Sequence, residues 1–190
     1  MESLNTALLV NVGTTAEPIN KAIDEVTSES TTTIFLVYGR AIADQEIPPF
    51  SIAAAVIERV NQLKIECRTY ELDKPENFER AFTFYQDLID EVISYKPDTI
   101  IVDITGGTKI MAAAMTHSVL TRQLGTEIIF EYVGGPRNAN GRVKDMVLLR
   151  DSGIVMKENI AAVIDSIRRQ EFARAIYLAN SLPRHGRQVS

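Results

Sequence analysis

The chain has 190 residues, 45% of them hydrophobic, and its 20 Lys and Arg stand against 25 Asp and Glu for a formal net charge of −5. Such a length suits one domain with a proper core and a small appendage, and the mixed charge with high apolar content excludes a disordered chain. The acidic balance excludes a general binder of duplex DNA, whose affinity rests on a broad basic surface, but leaves room for a small polyanion held by amides and a few cations.

In chain order, Thr6 to Val12 is apolar and predicts a buried first strand. Gly13-Thr14-Thr15-Ala16-Glu17-Pro18 follows as a turn, and Pro18 suits the first turn of a helix over Ile19 to Glu29. Each of Asn11, Thr14 and Thr15 alone reads as a turn former or helix cap, but together with Gly13 and the second glycine turn they are read as ligand contacts. Thr31 to Tyr38 predicts strand two, closed by Gly39-Arg40. Arg40 stands at the carboxyl edge where open α/β sheets take ligands, and reads equally as a ligand contact or a solvated arginine. Pro48-Pro49 breaks a loop, and Ser51 is expected to cap a helix running to Leu63.

Ile65 to Leu72 predicts strand three and holds Cys67 as a small buried hydrophobe. A single cysteine excludes an intramolecular disulfide framework and a Cys-rich zinc site, and fits a reducing cytoplasm. Phe78 to Tyr95 is a long amphipathic helix, with Phe78, Phe82, Tyr85, Leu88 or Ile89 and Val92 as packing residues. Strand four follows, then a helix to about Gln123 in which His117 is read as structural. Glu127 to Val133 and Val143 to Arg150 predict an antiparallel edge hairpin whose loop carries Arg137, Asn138 and Arg142, read as an exposed turn. Gly153 is read as a break before helices over Lys157 to Arg169 and Phe172 to Leu182. No apolar run has the length of a membrane span, so no membrane partner is expected. The whole predicts an open, mainly parallel α/β sheet with helices on both faces.

The stretch between strand four and its helix is the most informative: Asp103-Ile104-Thr105-Gly106-Gly107-Thr108-Lys109-Ile110-Met111. Adjacent glycines let a ligand approach the backbone, the first helix amides lack intrahelical partners, and Thr105, Thr108 and Lys109 add hydroxyls and a positive charge. This is a phosphate cradle in chemical type. It is neither a Walker A loop nor the Gly-x-Gly-x-x-Gly fingerprint, and Gly39-Arg40 supplies no acid for a ribose, so a dinucleotide-dependent enzyme is disfavoured. Asp103 is read as orienting the turn, with no raised pKa expected.

Asp103, Thr105, Gly106, Gly107, Thr108, Lys109 and Met111 resemble the signature of CARF domains, the CRISPR-associated Rossmann-fold sensors, and Val12-Gly13-Thr14-Thr15 with Pro18 is similar to the first turn of that family. The resemblance covers residues 5 to 150, though only these two short motifs are specific. It implies a Rossmann-like sensor over residues 1–152, followed over 153–190 by a helical linker or dimerisation segment, either in a stand-alone sensor or in a sensor piece that leads to an effector domain, with the second expected. It further implies a homodimer, with higher oligomers open, that binds cyclic tetra-adenylate by preference or cyclic hexa-adenylate, the messengers of type III CRISPR defence, and so controls an effector. Asn11, Gly13, Thr14, Thr15, Arg40, Thr105, Gly106, Gly107, Thr108 and Lys109 would contact the ring, with no metal and no cofactor. The alternative is a slow metal-independent ring nuclease, in which a ribose 2′-hydroxyl attacks phosphorus while Lys109, Thr105 and Thr108 stabilise the phosphate. The motif does not discriminate the two. No Arg-x(4–6)-His pair of a HEPN ribonuclease is present in a helix, since His185 directly follows Arg184.

Overall fold

A computed structural model describes residues 5–28, 31–41, 48–122, 126–136, 145–151 and 153–180. Six strands form one sheet: β1 (Asn5–Asn11), β2 (Thr31–Gly39), β3 (Glu66–Leu72), β4 (Thr99–Asp103), β5 (Glu127–Gly134) and β6 (Val147–Asp151). Their spatial order is β3-β2-β1-β4-β5-β6. Every pairing is parallel except β5 with β6, which is antiparallel, as expected of the edge hairpin.

Helices α1 (Glu17–Thr27), α2 (Pro49–Gln62), α3 (Phe78–Ser94) and α4 (Lys109–Thr121) cover the sheet, and α5 (Gly153–Arg168) packs with α6 (Phe172–Asn180). The central strands are buried on both faces, which is why β1 and β4 read as unbroken apolar runs. Alternate residues feed two cores. Leu9, Phe35, Val37, Val102 and Phe130 face α3 and α4 and meet Tyr85, Ile89, Met111 and Met115. Leu8, Val10, Ile34, Leu36 and Ile101 face α1 and α2 and meet Ile19, Ile23, Ala53 and Val56. The outer strand β3 instead alternates charge and half-burial, with Arg68 between Glu66 and Glu91 and over the Tyr95 ring. A charged edge of this kind resists pairing with a foreign strand.

Two local expectations, the Ser51 cap and the Gly153 break, are corrected. Ser51 does not cap α2: the extended Pro48 holds that position and Pro49 begins the helix, its fixed φ already helical. Gly153 is not a break but the first residue of α5, where backbone freedom costs less than in a helix interior. Thr14 and Thr15 do not cap α1, whose cap residue is Ala16 and whose first amides receive no side-chain bond from it. His117 is exposed and leans on the rings of Phe78 and Phe82, a structural place as expected. Arg137, Asn138, Arg142 and His185 lie outside the described residues.

Candidate functional site

Strand β1 is flanked by β2 on one side and β4 on the other, so the chain reverses its direction of growth between β1 and β4. In an open parallel sheet the two βα turns at that reversal part in opposite directions and leave a crevice beyond the carboxyl ends of the strands. Here those turns are residues 12–16 and 104–108. They touch: a Cβ built on Gly13 would lie 3.3 Å from Cα of Gly106, and one built on Gly106 would land on the carbonyl oxygen of Asn11. Gly107 adopts φ +79°, a conformation that side chains oppose, and packs over the Asn11 side chain.

The turn is fixed from three directions. Asp103, fully buried, accepts the amide of Thr105 at 2.7 Å. The Thr105 hydroxyl accepts the amide of Val133 at 2.7 Å, tying the turn to β5. The Thr108 hydroxyl accepts the amide of Met111 at 3.1 Å as the cap of α4, and donates to the carbonyl of Pro75 at 2.9 Å. Asp103 thus orients the turn as expected, but its pKa is not ordinary: burial pushes it up to about 6, against the bonds from Thr105.

The nominated residues fall into distinct groups. Lys109 is exposed at the first position of α4 and enters no ion pair among the described residues. The amides at the start of α4 point from a helix N-terminus, which favours an anion. Thr14 is exposed and Gly13 and Thr15 half-buried on the neighbouring turn. Gly106 and Gly107 form the floor between them. Asn11 lies behind that floor, fully buried, with Oδ1 accepting the Tyr85 hydroxyl at 2.6 Å and Nδ2 without a partner. Arg40 is not drawn to the crevice: its Nε donates to Glu71 of β3 at 2.6 Å, on the side of β2 away from β1.

Three residues at the site escape a reading of the sequence. Tyr85 looks like packing in the periodicity of α3, yet its hydroxyl orients Asn11. Pro75 receives Thr108 and also closes on Gly39, where a Cβ would lie 2.9 Å from its own. Glu131, fully buried in β5, receives Arg150 of β6 at 2.7 Å, and burial raises its pKa against that arginine. No described group of three His, Cys, Asp or Glu side chains is placed to hold a metal ion.

Among solved structures, the chain is similar to Enterococcus italicus Csm6 bound to cyclic hexa-2′-fluoro-hexa-dAMP, with a TM-score of 0.63 at 12% identity over 95% of this chain and 50% of that one. The chain therefore spans about half the length of that Csm6. Similarity to TcCGT1 in complex with UDP is slighter, with a TM-score of 0.39 at 15% identity over 67% of this chain and 28% of that one. No curated protein matches. The likeness to Csm6 extends over the Rossmann-like sheet, and the model of the Card1 CARF domain matches residues 19–146, which include the whole Asp103–Met111 stretch. With two thirds of its length matched by that model, the chain belongs to the Card1 CARF domain family.

Proposed function

We propose that the chain is a sensor domain that binds a cyclic oligoadenylate, cyclic tetra-adenylate or cyclic hexa-adenylate, as a homodimer in a type III CRISPR response. The observation that carries this reading is the junction of the two turns, with Gly13 against Gly106 and Lys109 exposed beside it at the start of α4. Phosphates would be taken by Lys109 and by the amides of Gly107 and Thr108, and ribose or adenine edges by Thr14 and Thr15. The hydroxyls of Thr105 and Thr108 already serve the fold, and Asn11 supports the floor from behind. A cyclic ligand with two-fold symmetry suits an isologous dimer in which each subunit presents one such floor. In this reading residues 1–152 are the sensor and 153–190 the segment that passes the signal to an effector.

The Thr108 hydroxyl donates to Pro75, and the Thr105 hydroxyl accepts from Val133 and bonds the Asp103 carboxylate, so of the three side chains proposed for ring cleavage Lys109 alone lacks such a bond among the described residues, which favours binding over turnover. The test is calorimetric titration of the purified chain with cyclic tri-, tetra- and hexa-adenylate, alongside Lys109→Ala. One ring per dimer, bound at least about tenfold more weakly by the variant, supports the sensor and fixes ring size. Absence of binding to every ring sinks it. Linear products in the same samples would identify a ring nuclease.

A further inference from the structure

Asp103 of β4 and Glu131 of β5 are register partners on neighbouring parallel strands, so their side chains stand side by side on the face of the sheet that carries α1. Both are fully buried. Each has one oxygen engaged: Asp103 Oδ1 with the Thr105 amide, Glu131 Oε2 with Nε of Arg150. Each leaves the other oxygen, Asp103 Oδ2 and Glu131 Oε1, buried and without a partner.

We propose that Asp103 and Glu131 hold one proton between them, so that the support of the Gly-rich turn is a pH-sensitive device. A single O–H between the two unpartnered oxygens satisfies both at once, whereas two adjacent carboxylates in a dry site cannot both ionise cheaply. The charges around the pair agree. β6 presents Arg150, which balances one negative charge. α1 presents Glu25, a further negative influence on Glu131, and β1 pairs the uncharged Val10 with Asp103. The turn presents Thr105, a neutral donor. One proton and the Arg150 ion pair thus offset the two carboxyl groups of Asp103 and Glu131, and loss of the proton adds a buried negative charge beneath Thr105. The burial of both groups pushes their pKa values upward, as this sharing requires. Nothing in the inference depends on what the turn binds.

The test is a carbon-13 carboxyl NMR titration of the whole chain without ligand. The signals of Asp103 and Glu131 should move together in one step that lies above the ordinary carboxyl range. Separate titration of each in the ordinary range would overturn the proposal. Denaturation midpoints of wild type and Glu131→Gln supply a second reading, because the glutamine can accept from Arg150 and donate to Asp103 Oδ2 with no proton to lose. The wild-type midpoint should fall as pH rises from about 4 through about 6 while that of the variant stays level. Parallel curves would refute the shared proton. Since no ring is present, either failure leaves the sensor reading standing, and loss of ring binding leaves this one standing.

Discussion

Gly106 lies against the backbone of Asn11 so closely that a methyl group at Gly106 would occupy the place of the Asn11 carbonyl oxygen. This contact, more than glycine's freedom to turn, is what joins the two halves of the crevice. Gly106→Ala should force the turns apart and destabilise the chain by about 1–3 kcal/mol, the range for overpacking a tight site. Gly107→Ala should cost about 1–2 kcal/mol from its positive φ, with a further clash on Cβ of Asn11 at 2.9 Å. Urea denaturation of the two variants would measure both, and unchanged midpoints would mean that the turns are not in contact.

The buried bond from Tyr85 to Asn11 predicts a non-additive pair. Tyr85→Phe leaves the Asn11 carboxamide with neither polar atom satisfied, so a loss of about 1–3 kcal/mol is expected. In the background of Asn11→Leu the same change should cost far less, because no orphan remains. A double-mutant cycle in which the two losses simply add would contradict the coupling.

Thr108 and Lys109 are neighbours with opposite expected signatures. Thr108→Ala removes the cap of α4 and the bond to Pro75, and should lower stability by about 1–2 kcal/mol. Lys109→Ala removes an exposed charge and should leave stability within about 0.5 kcal/mol of wild type while weakening anion binding. Thermal melts paired with ring titrations separate the two, and equal stability losses would place Lys109 in the fold rather than the site.

The raised pKa of Asp103 has a definite sign. A carboxyl near 6 in the folded chain and about 3.9 unfolded means that the folded state binds the proton more tightly. Stability is then greatest below the unfolded value and falls as pH rises through the window between the two. Asp103→Asn keeps an oxygen for the Thr105 amide and has no charge to bury. It should be more stable than wild type at neutral pH, by on the order of 3 kcal/mol at most, and should show no such fall. Wild-type stability that rises across the same window would be the opposite sign and would refute the burial argument.

Cys67 is held half-buried in β3, and burial pushes its thiol up to about 11. Little thiolate exists near pH 8, so its reaction with iodoacetamide in the folded chain should be much slower than that of a free cysteine, whose pKa is about 8.5. Reaction at the free-thiol rate would show an exposed side chain.

Much of this architecture is legible in the linear order of residues. β-Branched runs such as Thr99 to Val102 announce buried strands, and the paired glycines announce the turn because few other residues tolerate such a backbone. What stays hidden is anything that joins distant residues on a side chain's tip. Tyr85 and Asn11 are 74 residues apart, and at helical spacing a tyrosine is indistinguishable from a phenylalanine. Glu131 follows Phe130 and both are buried, because β5 has covered faces on either side and alternation no longer sorts core from solvent. Arg40 stands at the correct edge of the sheet, but its direction is set by Glu71 on another strand. Thr105 and Thr108 advertise hydroxyls to a ligand, and only the folded turn reveals that one accepts from Val133 and the other donates to Pro75.

Strand β6 is joined to the sheet along one edge only, through five residues. An outer strand with a single neighbour and exposed apolar residues such as Val147 and Leu149 opens at a lower free energy than the strands inside it. Arg150 is the bolt that pins it to a buried acid, and α5 begins three residues later. The row from Asp103 through Glu131 to Arg150 crosses two strand spacings, about 10 Å. Helices α5 and α6 therefore follow directly from an edge strand of the sheet, whose ion pair to a buried acid lies within two strands of the glycine turn.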